Sequence, residues 1–298
     1  MPISPARVAA FDILLRVERE SSYASELLHA DTYNRISPQD HGLTMELVMG
    51  VLRWRSRLDA EIAEASSHPL SKLDLEILIA LRLALFQFRW LDRIPKRAAL
   101  HESVELVKRA RKRSAAPFVN AVLRKLSAAA PQPDRSPDSA ESIASTLAHP
   151  LWLVERWIQL YGIAATAEIC RHNQRIPPTT IRLRTPTAEA ELHAEGINLE
   201  PGNLLDSARR VLSGDITNTK AFRNAEIVIQ DEASQLVAIL IGHAEGQVRI
   251  LDCCAAPGGK TLAMADQNPA AEITAIEIHP HRARLLQNLV SGSDRNIA

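Results

Sequence analysis

The stretch that most limits what this chain can become runs from Leu251 to Thr261, Leu-Asp-Cys-Cys-Ala-Ala-Pro-Gly-Gly-Lys-Thr. Val248, Ile250 and Leu251 form a short apolar run of the kind that makes a buried parallel strand, and Thr261 to Ala265 contains no helix breaker. A strand that enters a helix through a glycine pair is a ligand cradle. Gly258 and Gly259 let the backbone approach a bound molecule at little steric cost, and the N–H groups at the helix start attract polar or negative groups. The loop alone does not say which nucleotide-like ligand it takes. A P-loop fits poorly, because that motif places its first glycine where this chain has Cys254, although Gly259-Lys260-Thr261 matches its end.

The surroundings of the loop agree with it. From Ala225 onward short apolar runs alternate with helical stretches: Ile227–Ile229, Glu232–Ile241, Val248–Leu251, Thr261–Ala265, Ile273–Ile278 and Pro280–Val290. Alternation of this kind predicts a parallel, doubly wound sheet whose ligands sit outside the carboxyl ends of the strands. Glu277 ends the strand after the loop, where a carboxylate can accept two hydrogen bonds from a ribose diol.

The other end of the chain has a different periodicity. Val8, Phe11, Leu14, Leu15 and Val17 recur three and four apart, Ser37-Pro38 reads as an N-cap followed by proline, and Leu73 to Trp90 is apolar almost all round. Residues 1 to 130 are therefore expected to form an all-helical bundle with Leu73–Trp90 at its centre. Residues 131–145 carry the prolines and small polar residues of a linker. A small α+β domain is expected over 146–224, with a helix from Leu151 and another from Ile163 to Cys170, a strand at Thr179–Arg184, a helix at Thr187–Ala194 and a strand at Val211–Leu212. The α/β part occupies 225–298.

Charge decides little in total and more locally, since Lys+Arg and Asp+Glu both number 35. Between Arg89 and Lys125, however, eleven basic residues face three acidic ones, a net of +8. Lys108, Arg109, Arg111, Lys112 and Arg113 form its densest part, and with Arg124 they are the candidate phosphate-binding face. Five positive charges in six residues repel one another unless phosphates or acids lie nearby. Trp54, between Arg53 and Arg55, reads as a core or rim aromatic rather than a base-stacking platform. Three cysteines without a CxxC pair favour a reducing, cytoplasmic setting and argue against zinc or any other metal site. No signal peptide is evident and no apolar run is long enough for a bilayer, so no membrane association is expected.

At this point the residues resemble a family, the RsmB/Sun branch of the ribosomal RNA 5-methylcytosine methyltransferases, along the whole chain. Asp252-Cys253-Cys254-Ala255-Ala256-Pro257-Gly258-Gly259-Lys260-Thr261 is similar to that family's loop for S-adenosylmethionine, and Gln230-Asp231-Glu232-Ala233-Ser234-Gln235 to the segment before it. Phe118-Val119-Asn120-Ala121-Val122-Leu123-Arg124 resembles the NusB-like RNA-binding module of bacterial members, and His149–Trp157 and Pro178–Arg182 resemble the small domain between. The fold implied is a NusB-like bundle, a small α+β domain and the first part of a Rossmann-like methyltransferase domain. The resemblance implies that Cys254, Ala255, Ala256, Pro257, Gly258, Gly259 and Lys260 contact S-adenosylmethionine and that Glu277 holds its ribose. It implies small-subunit ribosomal RNA as partner, methylation of cytosine C5 in 16S RNA as activity, and a monomer as the working form.

The resemblance implies that cytosine C6 is activated by a cysteine from a later strand, assisted by an Asp-Ala-Pro-Cys segment, and both are expected beyond Ala298. Cys253 and Cys254 read as small buried residues, so no residue of this chain is assigned as catalytic. The chain is accordingly expected to be a fragment, inactive by itself, whose sheet ends on an unpaired apolar edge. The alternative is a non-enzymatic RNA-binding protein of ribosome assembly or transcription antitermination.

Overall fold

The computed structural model describes residues 3–20, 22–28, 30, 36–130, 138–243, 246, 248–291 and 295–298. The chain divides into two units, one through Arg175 and one from Ile176. Among the described residues the first contains helices and no strand: α1 (Pro5–Glu20), α2 (Ala24–Leu28), α3 (Pro38–Arg53), α4 (Arg55–Ala65), α5 (Leu75–Trp90), α6 (Lys96–Arg109), α7 (Ala116–Ala128), α8 (Ala140–Thr146) and α9 (Leu151–Gln174).

Helix α5 is the centre, as its all-round apolar sequence requires: Ile79, Leu81, Leu83, Leu85 and Phe86 are all buried. Gly50 on α3 lets that helix close on Phe86, because a Cβ at residue 50 would lie 2.0 Å from the ring's Cζ. Trp54, between α3 and α4, stacks on Trp90 with centroids 4.8 Å apart, and Arg57 lies over both rings. It is a packing aromatic, as expected. Charges inside the bundle are paired: Arg82 forks onto Asp59 at 2.6 and 2.7 Å and also reaches Glu18, while Arg7 bonds Gln87 and Glu102.

Residues 140–145, expected in a linker, belong to α8 (Ala140–Thr146). Ser139 caps it by accepting from the Ser142 N–H, and Ile143 is buried against α9 residues including Val154. Composition alone hid a cap and one apolar anchor. Residues 131–137 of that stretch lie outside the described residues. Helix α9 breaks at Gly162, whose φ of +77° interrupts it between the two expected helical stretches. It belongs by its contacts to the first unit, while the expected small domain began at 146.

The second unit comprises β1 (Thr180–Leu183), α10 (Ala188–Ala194), β2 (Asn198–Pro201), β3 (Ala208–Ser213), α11 (Lys220–Arg223), β4 (Ile227–Ile229), α12 (Glu232–Ile239), β5 (Arg249–Asp252), α13 (Gly259–Gln267), β6 (Glu272–Ala275) and α14 (Pro280–Val290). Four strands form an antiparallel sheet in the order β2-β3-β1-β4. Ile181 of β1 pairs with Arg209 and with Ile229, and packs with Ala188, Leu192 and Ile227. Strand β4 was expected to open the parallel sheet and instead closes this antiparallel one. Three apolar residues carry no signal of which neighbour they will bond, so only the tertiary arrangement could decide.

The parallel pair is β5 and β6, with Ile250 opposite Ile273 and α13 as the connection between them. Ile297 adds a parallel bridge to Ile273. None of the described helices is long and apolar enough to cross a membrane.

Candidate functional site

The loop after β5 is tied down by the residue that ends the strand. Asp252 accepts from Thr261 Oγ1 at 2.7 Å through one carboxylate oxygen and from the Cys254 N–H at 3.3 Å through the other, so one side chain spans the turn from strand to helix. Ile276 N donates to Asp252 O and Ala255 N donates to Ile276 O, which lashes the loop to the segment after β6. The strand ends therefore meet at one place. The first N–H groups of α13 have no intrahelical acceptor, the usual condition of a helix start.

Gly258 has φ +113°, and a Cβ there would sit 2.9 Å from Leu286 Cδ1 and 3.0 Å from Leu289 Cδ2. The structure adds a reason for the glycine to the expected close approach of a ligand: it gives way to α14 and adopts a left-handed backbone. Gly259 meets the side chain of Gln230 at ordinary contact, 3.6 Å. Ala255, Ala256 and Gly258 are buried, Cys254, Pro257 and Lys260 exposed, and Gly259 half-buried.

Glu277 lies two residues past β6. Its side chain is 4% exposed, accepts from the His279 N–H at 3.0 Å, and has Arg282 Nε 3.8 Å from its second oxygen. The His279 N–H is the main influence holding its carboxyl below the ordinary range, helped by the charges of Arg282 and His279 and by the Ala256 N–H, against a desolvation cost. It is thus ionised at neutral pH. Arg282 also donates to Ala256 O at 3.1 Å, so the loop and Glu277 are braced by the same guanidinium. The structure brings the expected loop residues and Glu277 to one side of the two strands. Negative charge at Glu277 and unfilled N–H groups at the start of α13 suit a ligand with both a diol and polar substituents.

Cys253 and Cys254 are exposed, which corrects their reading as buried; the turn carries them out beyond the strand end. Cys170 is the buried one, and desolvation pushes its thiol up.

The basic run resolves differently from its sequence. Lys108 pairs with Glu105 at 2.6 Å, Arg109 forks onto Asp12 at 2.8 and 2.9 Å, and Lys112 reaches Asp74 at 2.9 Å. Acids answer the local repulsion at those three. The hydrogen bond from Lys108 is the main cause that lowers the Glu105 carboxyl, and the one to Asp74 raises the Lys112 ammonium. Arg111, at φ +63°, and Arg113 have no acidic partner among the described residues, nor does Arg124. Arg124 lines a groove of about 660 Å³ between α6 and α7 with Lys96, Arg97, His101 and Asn120. Arg97 is one of the eleven basic residues of the segment but was not singled out within it, and His101 was passed over. Their spacing with Lys108, four and then seven residues, was the available signal, since it places all three on one helix face.

Comparison with known proteins gives three matched stretches, the middle one running across the boundary at Arg175. Residues 4–128 match the NusB family, 149–214 the ferredoxin-like domain of RsmF/B-like methyltransferases, and 238–294 the 16S rRNA methyltransferase RsmB/F family. The chain is 35% identical over 295 residues to the probable ribosomal RNA small subunit methyltransferase B of Bacillus subtilis, covering 96% of this chain and 66% of that one. The protein of the same name from Synechocystis is 30% identical over 270 residues, covering 88% and 60%. A protein of Mycobacterium tuberculosis named as a methyltransferase is 31% identical over 307 residues, covering 98% and 67%. The chain thus spans about two thirds of the length of these relatives. Among solved structures, "Crystal Structure of PH0851" superposes with a TM-score of 0.74 at 19% identity, over 100% of this chain and 69% of that one, a likeness of fold.

Proposed function

We propose a function from one premise: the chain belongs to the RsmB/F family of 16S rRNA methyltransferases. It supplies the methyl-donor site and the RNA-holding part of an enzyme that methylates C5 of a cytosine in small-subunit ribosomal RNA. The observation that carries this reading is the meeting of the Asp252–Lys260 loop with the ionised Glu277 at the ends of two parallel strands. S-adenosylmethionine fits that place and supplies an electrophilic methyl group when bound. Glu277 holds the ribose hydroxyls, residues 254–260 line the methionine side, and Asp252 keeps the turn in shape by binding Thr261 and Cys254.

RNA is held by the helical unit, through Arg111, Arg113 and Arg124 as cations without acidic partners among the described residues and through Lys108, Arg109 and Lys112 where phosphate competes with their exposed carboxylate partners. Addition at C6 requires a thiolate. Cys170 is buried within the helical unit, with its thiol raised, and Cys253 and Cys254 belong to the donor loop itself. None of the three is placed as the nucleophile, so this chain by itself binds donor and RNA without transferring methyl.

Calorimetric titration of S-adenosylmethionine into the chain tests the donor site, with Glu277→Ala as the comparison. Saturable binding that Glu277→Ala weakens about tenfold, the scale of a lost charged hydrogen-bond acceptor, is expected. Absence of binding by the unaltered chain overturns the donor site. Turnover on 16S RNA by the purified 298-residue chain overturns its assigned inactivity.

A further inference from the structure

Helix α13, whose first turn forms the end of the donor loop, is gripped from the antiparallel sheet. Arg182 and Arg184 are two apart on β1 and its extension and point to one face, while Ile181 turns to the apolar cluster on the other. On that face Arg182 Nη1 donates to Asp266 Oδ2 at 2.9 Å. Arg184 forks onto the same carboxylate, Nε to Oδ2 at 2.7 Å and Nη2 to Oδ1 at 2.8 Å. Arg295 Nε lies 3.7 Å from Oδ1. Asp266 stands in the last turn of α13, and its side chain is 18% exposed.

A second contact holds the other end of the helix. Arg182 Nε donates to Gln230 Oε1 at 3.2 Å, and the Gln230 amide lies 3.6 Å from where a Cβ of Gly259 would be, against the first turn of α13. Gln230 is itself fixed, since its N–H donates to Thr180 O at 2.9 Å and its carbonyl accepts from Gln235 Nε2 at 2.9 Å. Residues 259 and 266 are seven positions apart, about two helical turns, so both contacts fall on one face. A helix touched on one face at both ends can neither roll nor tilt freely.

The charges hold without a salt-dependent surface pair. Burial opposes ionisation of Asp266, but hydrogen bonds from Arg184 and Arg182 outweigh it and keep the carboxyl below its ordinary value. Arg182 Nη2 and Gln230 Nε2 are buried donors without an acceptor among the described residues, so the cluster holds more donors than its one carboxylate can satisfy. That imbalance makes Asp266 the group on which the cluster depends.

We propose that Asp266, gripped by Arg182 and Arg184, is a positioning residue for the methyl-donor loop, setting the rotation of α13 and with it the placement of Gly258–Thr261 against Asp252. The inference rests on the donor-site reading of that loop. Hydrogen exchange on the full chain tests it through two loop amides, Ala255, bonded to Ile276 O, and Leu262, bonded to Gly258 O, with the sheet amide Val211, bonded to Thr179 O, as internal reference. In Asp266→Asn, and in Arg184→Lys should that variant fold poorly, exchange at Ala255 and Leu262 rises about tenfold while Val211 is unchanged. Asp266→Glu restores both rates to within about twofold. Arg209→Ala, which breaks a comparable fork onto Glu189 away from α13, leaves the loop amides as they were.

S-adenosylmethionine affinity falls about tenfold in Asp266→Asn and Arg184→Lys and not in Arg209→Ala. Equal acceleration at all three amides, or none at Ala255 and Leu262, overturns the proposal and leaves the cluster a purely structural one. If the unaltered chain binds no donor, the donor-site reading fails, and the exchange rates still decide whether Asp266 positions the loop.

Discussion

The helical unit gathers Phe11, Leu47, Leu58, Leu81, Leu85, Phe86 and Leu106 into one large apolar core around α5, with a small separate cluster of Ile143, Val154, Ala167 and Cys170 at α8 and α9, whereas the second unit, among the described residues, has no large core and divides its apolar residues among three small clusters. Between two of those clusters the second unit sets a polar clamp, Arg182 and Arg184 on Asp266, and a glycine that only a left-handed turn explains. Burial of apolar area is non-directional, so the first unit can hold its shape against modest surface change. Hydrogen-bonded charges are directional. The second unit thereby gains a defined loop geometry and loses tolerance at a few positions.

The largest test of this contrast is Phe86→Ala, which removes a fully packed ring from the centre of the bundle. It costs about 3–5 kcal/mol, read as a lower denaturant midpoint of the helical unit with little change at the donor loop. Collapse of both units together would show that they are not separable in stability. Gly258→Val comes next. A β-branched side chain at φ +113° that also meets Leu286 and Leu289 costs about 1–3 kcal/mol in backbone strain alone, and donor titration should show binding lost while the helical unit melts as before.

Acid then separates the polar clamp from the apolar core. The folded pKa of Asp266 is depressed, so its contribution is present above its unfolded value of about 3.9 and is lost as pH falls through the lower folded value. Loop-amide protection factors in the unaltered chain, which divide out the pH dependence of intrinsic exchange, should therefore be flat near neutrality and fall in that acidic window, and in Asp266→Asn the fall should be absent. The smallest effect is expected at Arg109→Ala. Its fork onto Asp12 is exposed at 43% and 34%, so stability changes by less than about 1 kcal/mol, while the salt dependence of RNA binding falls by about one phosphate contact. A loss of several kcal/mol there would mean that the surface pairs of the bundle are structural after all.

Much of the layout of the candidate site was legible before any coordinates. Strand, glycine pair and helix gave the loop, and Glu277 lay where the alternation put the next strand end. Ser37 and Pro38 opened α3 as read, and Ser37 accepts from the Asp40 N–H. What escaped was pairing. Nothing in Lys108–Arg113 announces Asp12 and Asp74, which come from other helices, and nothing in Ile227–Ile229 announces that β1 will be its neighbour. The packing that also requires glycine at residue 258 was not legible, because Leu286 and Leu289 reach it from a helix about thirty residues later.

By itself, then, the sequence determined most of the periodic content of the chain: the longer helices, where the strand turns into α13, and which residues are candidates to meet a donor. Those are local properties, set by backbone preference and by apolar spacing within a dozen residues. Only the tertiary structure decided that Asp252 spans the loop, that Arg282 braces both Ala256 and Glu277, and that Asp266 holds α13 to the antiparallel sheet. Except within the Asp252 turn and between Glu277 and Arg282, these contacts join segments far apart in the chain, and their partners are specified by packing geometry that no local pattern encodes. The loop is thus written in its own residues, and its placement is written in residues elsewhere.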